Sequence, residues 1–254
     1  MATPARASTG KVYLIGAGPG AADLITVRGA RLLAQADVVL HDALVTEEML
    51  ALCPQAEKIP VGKRSGQRST AQVVINQRLI ECAHKYKLIV RLKGGDPMIF
   101  GRADEELTAL EAEGIAVEVV PGITTALAAA ASTRQPLTKR GVARSVSFFT
   151  SSTSPDHPEQ DALPETDTMV QYMGGKEAAA TARRLLAHGR NPATPVIVVE
   201  NCSRANETIL RLSLADLEAG LGAAQGPVLV MIGDALAQRN TTVQAPGSAR
   251  TPTQ

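Results

Sequence analysis

Three short stretches of this chain put glycine, proline and small polar residues where a run of β-branched residues stops. They are Gly16-Ala-Gly-Pro-Gly20, Gly94-Gly-Asp-Pro97 and Pro121-Gly-Ile-Thr124. Glycine lets backbone pass close to a ligand, and Asp96 offers acceptors to a hydroxyl or an ammonium group. Ligands of open α/β sheets bind outside the carboxyl ends of the strands. One such turn is commonplace; three in one domain point to a single binding cleft. Charged residues occupy comparable positions: Asp42 follows the run Asp37–His41, and Lys63 and Arg64 follow Glu57–Val61. Arg102 and Glu105, three apart at a helix start, face the same way.

The first stretch invites a dinucleotide reading, with Asp42 at a suitable distance to hold a ribose. Its spacing argues against one. Glycines fall at 16, 18 and 20, not as G-x-G-x-x-G, and Pro19 removes an N–H where a pyrophosphate needs donors. An NAD(P)-dependent oxidoreductase therefore stands as a competing reading of a different class, with a non-catalytic ligand-binding module as a third. His41, His84, His157 and His188 show no ligand spacing, and His84 and His188 suit solvated or capping roles near helix ends. Cys53, Cys82 and Cys202 are odd in number and far apart, which excludes a disulfide framework and a spaced zinc site. No metal is expected.

The elements that must position these residues follow from pattern. Short β-branched runs alternate with helical stretches, the signature of strands joined by crossover helices. Strands are expected at Lys11–Gly16, Asp37–His41, Glu57–Val61, Leu88–Leu92 and Ile115–Val120, then at Arg144–Thr150, Thr168–Met173, Pro195–Glu200, Glu207–Leu212 and Pro227–Ile232. Ser69 with Gln72 reads as a capping box before a helix that places Ile75, Leu79, Cys82 and Ala83 on one face, so Cys82 is a core residue. A second helix, Lys176–His188, stops at Gly189 with Pro192 beyond, and Ser213 to Asp216 opens a capped helix. Strands packed closely at 195–212 leave no room for a crossover and imply antiparallel pairing. Residues 151–167 read as a loop.

At 254 residues the chain accommodates two α/β domains, expected at 11–121 and 122–240 with a mixed sheet in the second, between disordered tails at 1–10 and 241–254. Lys+Arg is 26 against Asp+Glu 25, so no net charge points to nucleic acid or an anionic membrane. No Trp and three each of Tyr and Phe are too few rings for a base-stacking platform. The apolar runs fall short of the roughly 20 residues that span a bilayer, and residues 1–8 carry no apolar signal core, so a cytoplasmic setting is expected. The Ala-rich run at 126–131 is more apolar than a lone helix usually shows to water.

Taken in order, Gly16-Ala-Gly-Pro-Gly20, Asp42-Ala-Leu-Val45, Val61-Gly-Lys-Arg64, Arg91-Leu-Lys-Gly-Gly-Asp-Pro97, Phe100-Gly-Arg102, Pro121-Gly-Ile-Thr124, Pro136-Leu-Thr138 and Tyr172-Met-Gly174 resemble the motifs of the tetrapyrrole methylases, from about Lys11 to Ala235. The first loop and Gly-Gly-Asp-Pro are shared across that family, precorrin methylases included. The Gly-Lys-Arg, Arg-Leu-Lys and Phe-Gly-Arg segments are similar to its uroporphyrinogen branch. The chain departs from the family pattern at Ala103-Asp104, Lys139 and Ser151-Ser152.

The resemblance implies the family fold, two α/β domains with the ligand cleft between them, and a homodimer. It implies two methyl transfers from S-adenosylmethionine to carbons 2 and 7 of uroporphyrinogen III, giving precorrin-2 and S-adenosylhomocysteine, with another precorrin methyltransferase as the alternative. Pro19, Gly94, Gly95, Asp96, Ile99, Thr124, Thr125, Met173 and Cys202 fall on the family's cofactor positions. Met173 read alone is equally a core residue at a strand end, and the Cys202 contact is through its backbone. Asp42 corresponds to a proton acceptor and Lys63 to a donor; two charges at neighbouring strand ends could instead form a plain salt bridge. A substrate with eight carboxylates calls for cations, for which Arg64, Arg102 and Arg140 are the candidates. Arg102 and Glu105 compete with Asp42 for the proton-handling role.

Overall fold

A computed structural model describes residues 9–61, 72–151 and 163–238. Lys63, Arg64, Ser69, His157 and Ser152 lie outside these residues, as do most of the tails and most of the loop expected at 151–167. Gly10, assigned to the N-terminal tail by composition, donates its N–H to the Ala83 carbonyl at 2.7 Å.

The first half is a five-stranded parallel sheet, β1 (Lys11–Gly16), β2 (Val38–His41), β3 (Glu57–Pro60), β4 (Leu88–Lys93) and β5 (Val117–Val120), in the order β3-β2-β4-β1-β5. Parallel sheets need both faces covered. One face of β1, β2 and β4 (Val12, Leu14, Val38, Leu40, Ile89) packs on α3 (Gln72–Lys85) and α4 (Ala103–Ala112). The other (Ile15, Val39, Val90, Leu92) packs on α1 (Val27–Leu33) and α2 (Glu47–Leu50). Ile75, Leu79, Cys82 and Ala83 are buried together, as the helical period requires.

The second half begins with α5 (Thr125–Ser132) and forms a mixed sheet of β6 (Val146–Thr150), β7 (Thr168–Tyr172), β8 (Pro195–Glu200), β9 (Thr208–Ser213) and β10 (Val228–Ile232), in the order β6-β7-β10-β8-β9. Only β6 and β7 run parallel; β8 pairs antiparallel with β9 and β10, as the short spacing demands. α5 covers one face, while α6 (Ala178–Ala187) and α7 (Leu214–Leu217) cover the other. The α6 terminus is a Schellman motif: Gly189 sits at φ +82°, its N–H reaches the Leu186 carbonyl, and Arg190 N–H reaches Leu185. Ser213 and Asp216 cap α7 reciprocally. Each observed strand lies within two residues of its expected bounds; β5 and β6 start two residues late. Among the described residues no helix is long and apolar enough to cross a membrane.

Candidate active site

The three glycine-bearing loops leave adjacent strands, β4, β1 and β5, at their carboxyl ends, and hydrogen bonds fuse them. Ala17 N–H donates to the Lys93 carbonyl at 2.7 Å, while Gly18 and Gly95 exchange both backbone bonds at 3.1 and 2.7 Å. Asp96 Oδ2 accepts from Gly122 N–H at 2.8 Å. The junction is glycine-tight: a Cβ on Gly122 would overlap the Gly95 carbonyl oxygen and stand 2.7 Å from Gly16 Cα. Here the absence of a side chain is a packing requirement.

This bonding counts against the dinucleotide alternative on physical grounds. A pyrophosphate cradle needs several free N–H groups. In the loop here Ala17 and Gly18 N–H are taken by the neighbouring loop, Pro19 has none, and Ala21 N–H goes to Ser203 Oγ at 3.0 Å. Asp96 is tied into the loop structure on both oxygens. Its Oδ1 accepts from Met98 N–H at 2.8 Å, so each carboxylate oxygen holds backbone and the residue shapes the loop.

The second half closes on these loops from two sides. Tyr172 Oη lies 2.5 Å from Thr124 Oγ1 and accepts from Ala126 N–H at 3.2 Å, tying the end of β7 to the start of α5. Its ring packs between Phe100 and Phe148, with centroids 5.0 and 5.8 Å away. Burial pushes the Tyr172 phenol above its usual range, so it stays protonated. On the other side Gly20 packs against the Cys202 carbonyl and Ser203, and Arg204 Nη2 donates to the Leu44 carbonyl at 2.8 Å. Pro19, Gly94, Gly95, Asp96, Ile99, Thr124, Met173 and Cys202 stand on loops joined by direct contacts, and Thr125 opens α5 beside them. Met173 is 53% exposed at φ +56°, which overturns core packing as its explanation. The Cys202 thiol is buried, and burial followed by the Glu207 carboxylate pushes it up to about 12; it does not act as a thiolate.

The charged candidates separate into two groups. Arg102 and Glu105 are exposed and paired face to face, Nε to Oε1 at 2.6 Å and Nη2 to Oε2 at 2.8 Å, as their spacing foretells. Hydrogen bonding from Arg102 holds the Glu105 carboxyl below its usual range, which weakens it as a base, and the same bond raises the Arg102 guanidinium further. Arg140 stands exposed in the turn closed by Lys139 and Ala143.

Asp42 pairs with a cation of the adjacent strand β4. Its Oδ1 accepts from Arg91 Nη2 at 2.5 Å, whereas Lys63 lies outside the described residues. Arg91 is 3% exposed and belongs to a buried network that sequence reasoning did not single out: Arg91 Nε reaches Glu106 Oε1 at 3.0 Å and Lys93 Nζ reaches Glu106 Oε2 at 2.8 Å. Burial and then the Arg91 charge push the Lys93 amine below its usual range, against the pull of Glu106. Burial works against the Arg91 charge too, yet Asp42 and Glu106 together outweigh it and the guanidinium rises. A detectable signal existed: two cations at alternate positions of the apolar run Leu88–Lys93 point to one face of a strand covered on both sides, and such charges require buried counter-charges. Among the described residues no group of His, Cys, Asp and Glu could hold a metal ion.

A parallel five-stranded sheet with fused loops at its carboxyl ends, closed by a mixed second sheet, matches a known architecture. Residues 11–218 match the Tetrapyrrole (Corrin/Porphyrin) Methylases, and the chain belongs to that family. Among solved structures it is similar to the uroporphyrin III C-methyl transferase of Thermus thermophilus, at 38% identity and a TM-score of 0.79, over 89% of this chain and 99% of that one. It is also similar to a cobalt precorrin-4 methyltransferase, at 29% identity and a TM-score of 0.75, over 90% of this chain and 96% of that one. Among curated proteins, Siroheme synthase 1 of Yersinia pseudotuberculosis is 46% identical over 229 residues, 89% of this chain and 48% of the relative. The chain thus spans about half the length of the curated relatives it matches.

Proposed function

We propose that the chain is an S-adenosylmethionine-dependent C-methyltransferase that methylates uroporphyrinogen III at C2 and C7, giving precorrin-2, a precursor of sirohaem and cobalamin. The observation that carries this reading is the fused loop set at the carboxyl ends of β4, β1 and β5, on which most of the proposed cofactor residues lie. It is supported by the 38% identity to the Thermus thermophilus enzyme, which has been seen complexed with S-adenyl homocysteine. In each transfer a ring carbon attacks the sulfonium methyl in line, the S–CH3 bond breaks, and S-adenosylhomocysteine leaves. The methylated ring system then returns to neutrality by losing a proton. Positioning two large ligands supplies most of the acceleration, since in-line attack needs the reacting atoms about 3–3.5 Å apart.

Pro19, Gly94, Gly95, Ile99, Thr124, Thr125, Met173 and the Cys202 backbone would hold the cofactor, with Asp96 fixing the loop that presents them. Asp42 is the proton acceptor in this reading and Lys63 the donor. Arg64, Arg102 and Arg140 would meet substrate carboxylates. The reading divides the chain into two domains, 11–121 and 122–240, and goes with a cytoplasmic biosynthetic role.

Calorimetry with S-adenosylhomocysteine and with NAD, followed by methyl transfer to uroporphyrinogen III, tests it. Binding of the first ligand alone and a product carrying two added methyl groups are expected. Transfer only to an already methylated corrinoid precursor would move the assignment to a precorrin methylase, and binding of NAD alone would overturn the reading.

The homodimer is part of the same proposal. Leu127 on α5 and Ile209 on the edge strand β9 lie on the same side of the second sheet and are exposed at 56% and 38%, apolar residues suited to a second copy. Light scattering at micromolar concentration should give twice the chain mass, and a monomer with full activity would count against it.

A further inference from the structure

A buried carboxylate is tolerated only when cations and hydrogen bonds meet its lone pairs. Glu106, wholly buried in the first turns of α4, meets three donors: Arg91 Nε at 3.0 Å and Gln72 Nε2 at 3.2 Å on one oxygen, and Lys93 Nζ at 2.8 Å on the other. Arg91 then directs Nη1 to the Leu92 carbonyl at 3.3 Å and Nη2 to Asp42. One guanidinium therefore bridges a carboxylate that water does not reach and one whose side chain is 29% exposed.

We propose that Glu106 is a positioning residue that acts through Arg91 to fix both the direction and the basicity of the Asp42 carboxylate. The inference rests on the reading of Asp42 as proton acceptor. The two cations and two carboxylates sum to zero charge. Glu106 shares the field of both cations, so the Asp42 carboxylate does not meet the charge of Arg91 and Lys93 alone. Without the Glu106 charge, Arg91 and Lys93 face Asp42 unopposed and it becomes a weaker base. Without the Lys93 charge, the balance tilts the other way and it becomes a stronger one. The described groups around Asp42 are these: Arg91 and Lys93 from β4, Glu106 from α4, and His41 from its own strand, with Nδ1 3.2 Å from the Asp42 carbonyl oxygen. Arg102 and Glu105 form a closed pair at the start of α4.

The test is the pH profile of turnover in the full chain, with S-adenosylhomocysteine affinity measured alongside. Asp42→Asn should abolish the acid limb. Glu106→Gln should move that limb down by about one pH unit and Lys93→Met should move it up by a similar amount, the order that a nearby like or opposite charge imposes. Cofactor affinity should hold within about twofold in both. Shifts of opposite sign are what a mere packing lesion does not produce. If Glu106→Gln fails to fold, the upward shift in Lys93→Met alone decides. An acid limb that survives Asp42→Asn overturns the reading of Asp42 and this proposal with it. A limb that vanishes in Asp42→Asn but stays put in the other two, or moves the same way in both, overturns the role of Glu106 and leaves Asp42 in place.

Discussion

Asp42→Asn is expected to lower turnover by about 10²–10⁴-fold while both ligands still bind, because a positioned general base contributes an effect of that order. The amide is nearly isosteric with the carboxylate and its oxygen can still accept from Arg91 Nη2, so the side chain keeps its place while it loses its charge and its affinity for a proton. Rapid-quench methylation and calorimetry with S-adenosylhomocysteine separate the two effects. Near-normal turnover would remove Asp42 as the acceptor. The geometry makes Glu105 a poor replacement, since Arg102 grips both its oxygens and holds it ionised.

Arg91→Met should destabilise the fold by about 3 kcal/mol, the lower end of the range for breaking one side of a buried ion pair. The methionine fills much of the volume, so the loss reports charge more than cavity. Glu106 keeps Lys93 and Gln72 but loses its Arg91 donor in a site with no exposure. Urea unfolding at neutral pH gives the number. A loss under about 1 kcal/mol, the value of an exposed pair, would mean that water reaches Glu106. Turnover should fall as well, because Asp42 loses the group that orients it.

The two halves of the chain differed in how openly they announced themselves. All ten strands were readable because each is a short β-branched run bounded by glycine, proline or polar residues, and the antiparallel pairing of β8 with β9 followed from their short connection. The fused loops were readable as a shared site, since three similar turns at strand ends demand a common purpose. The backbone bonds of Asp96 were not legible, because an acid in a turn looks alike whether or not it also holds the Gly122 and Met98 N–H groups. Glu106 was hidden for a related reason. It follows Glu105 in an acidic first turn whose members look alike in sequence, and the helix phase alone sends one to water and the other to β4. Tertiary placement, not residue type, distinguishes them. The Asp42–Arg91 pair joins residues 49 apart, beyond the reach of any local pattern.

The mutual bonding of the three loops also bears on how ligand preference could be altered. Gly18 is stitched to Gly95, Asp96 to Gly122, and Gly16 lies against Gly122 with no space for a methyl group. An insertion in one of them would have nowhere to bulge without parting the other two, so the ordinary tolerance of surface loops to length change is lost here. Grafting from a relative would therefore have to transfer the loops after β1, β4 and β5 together, as a single cassette.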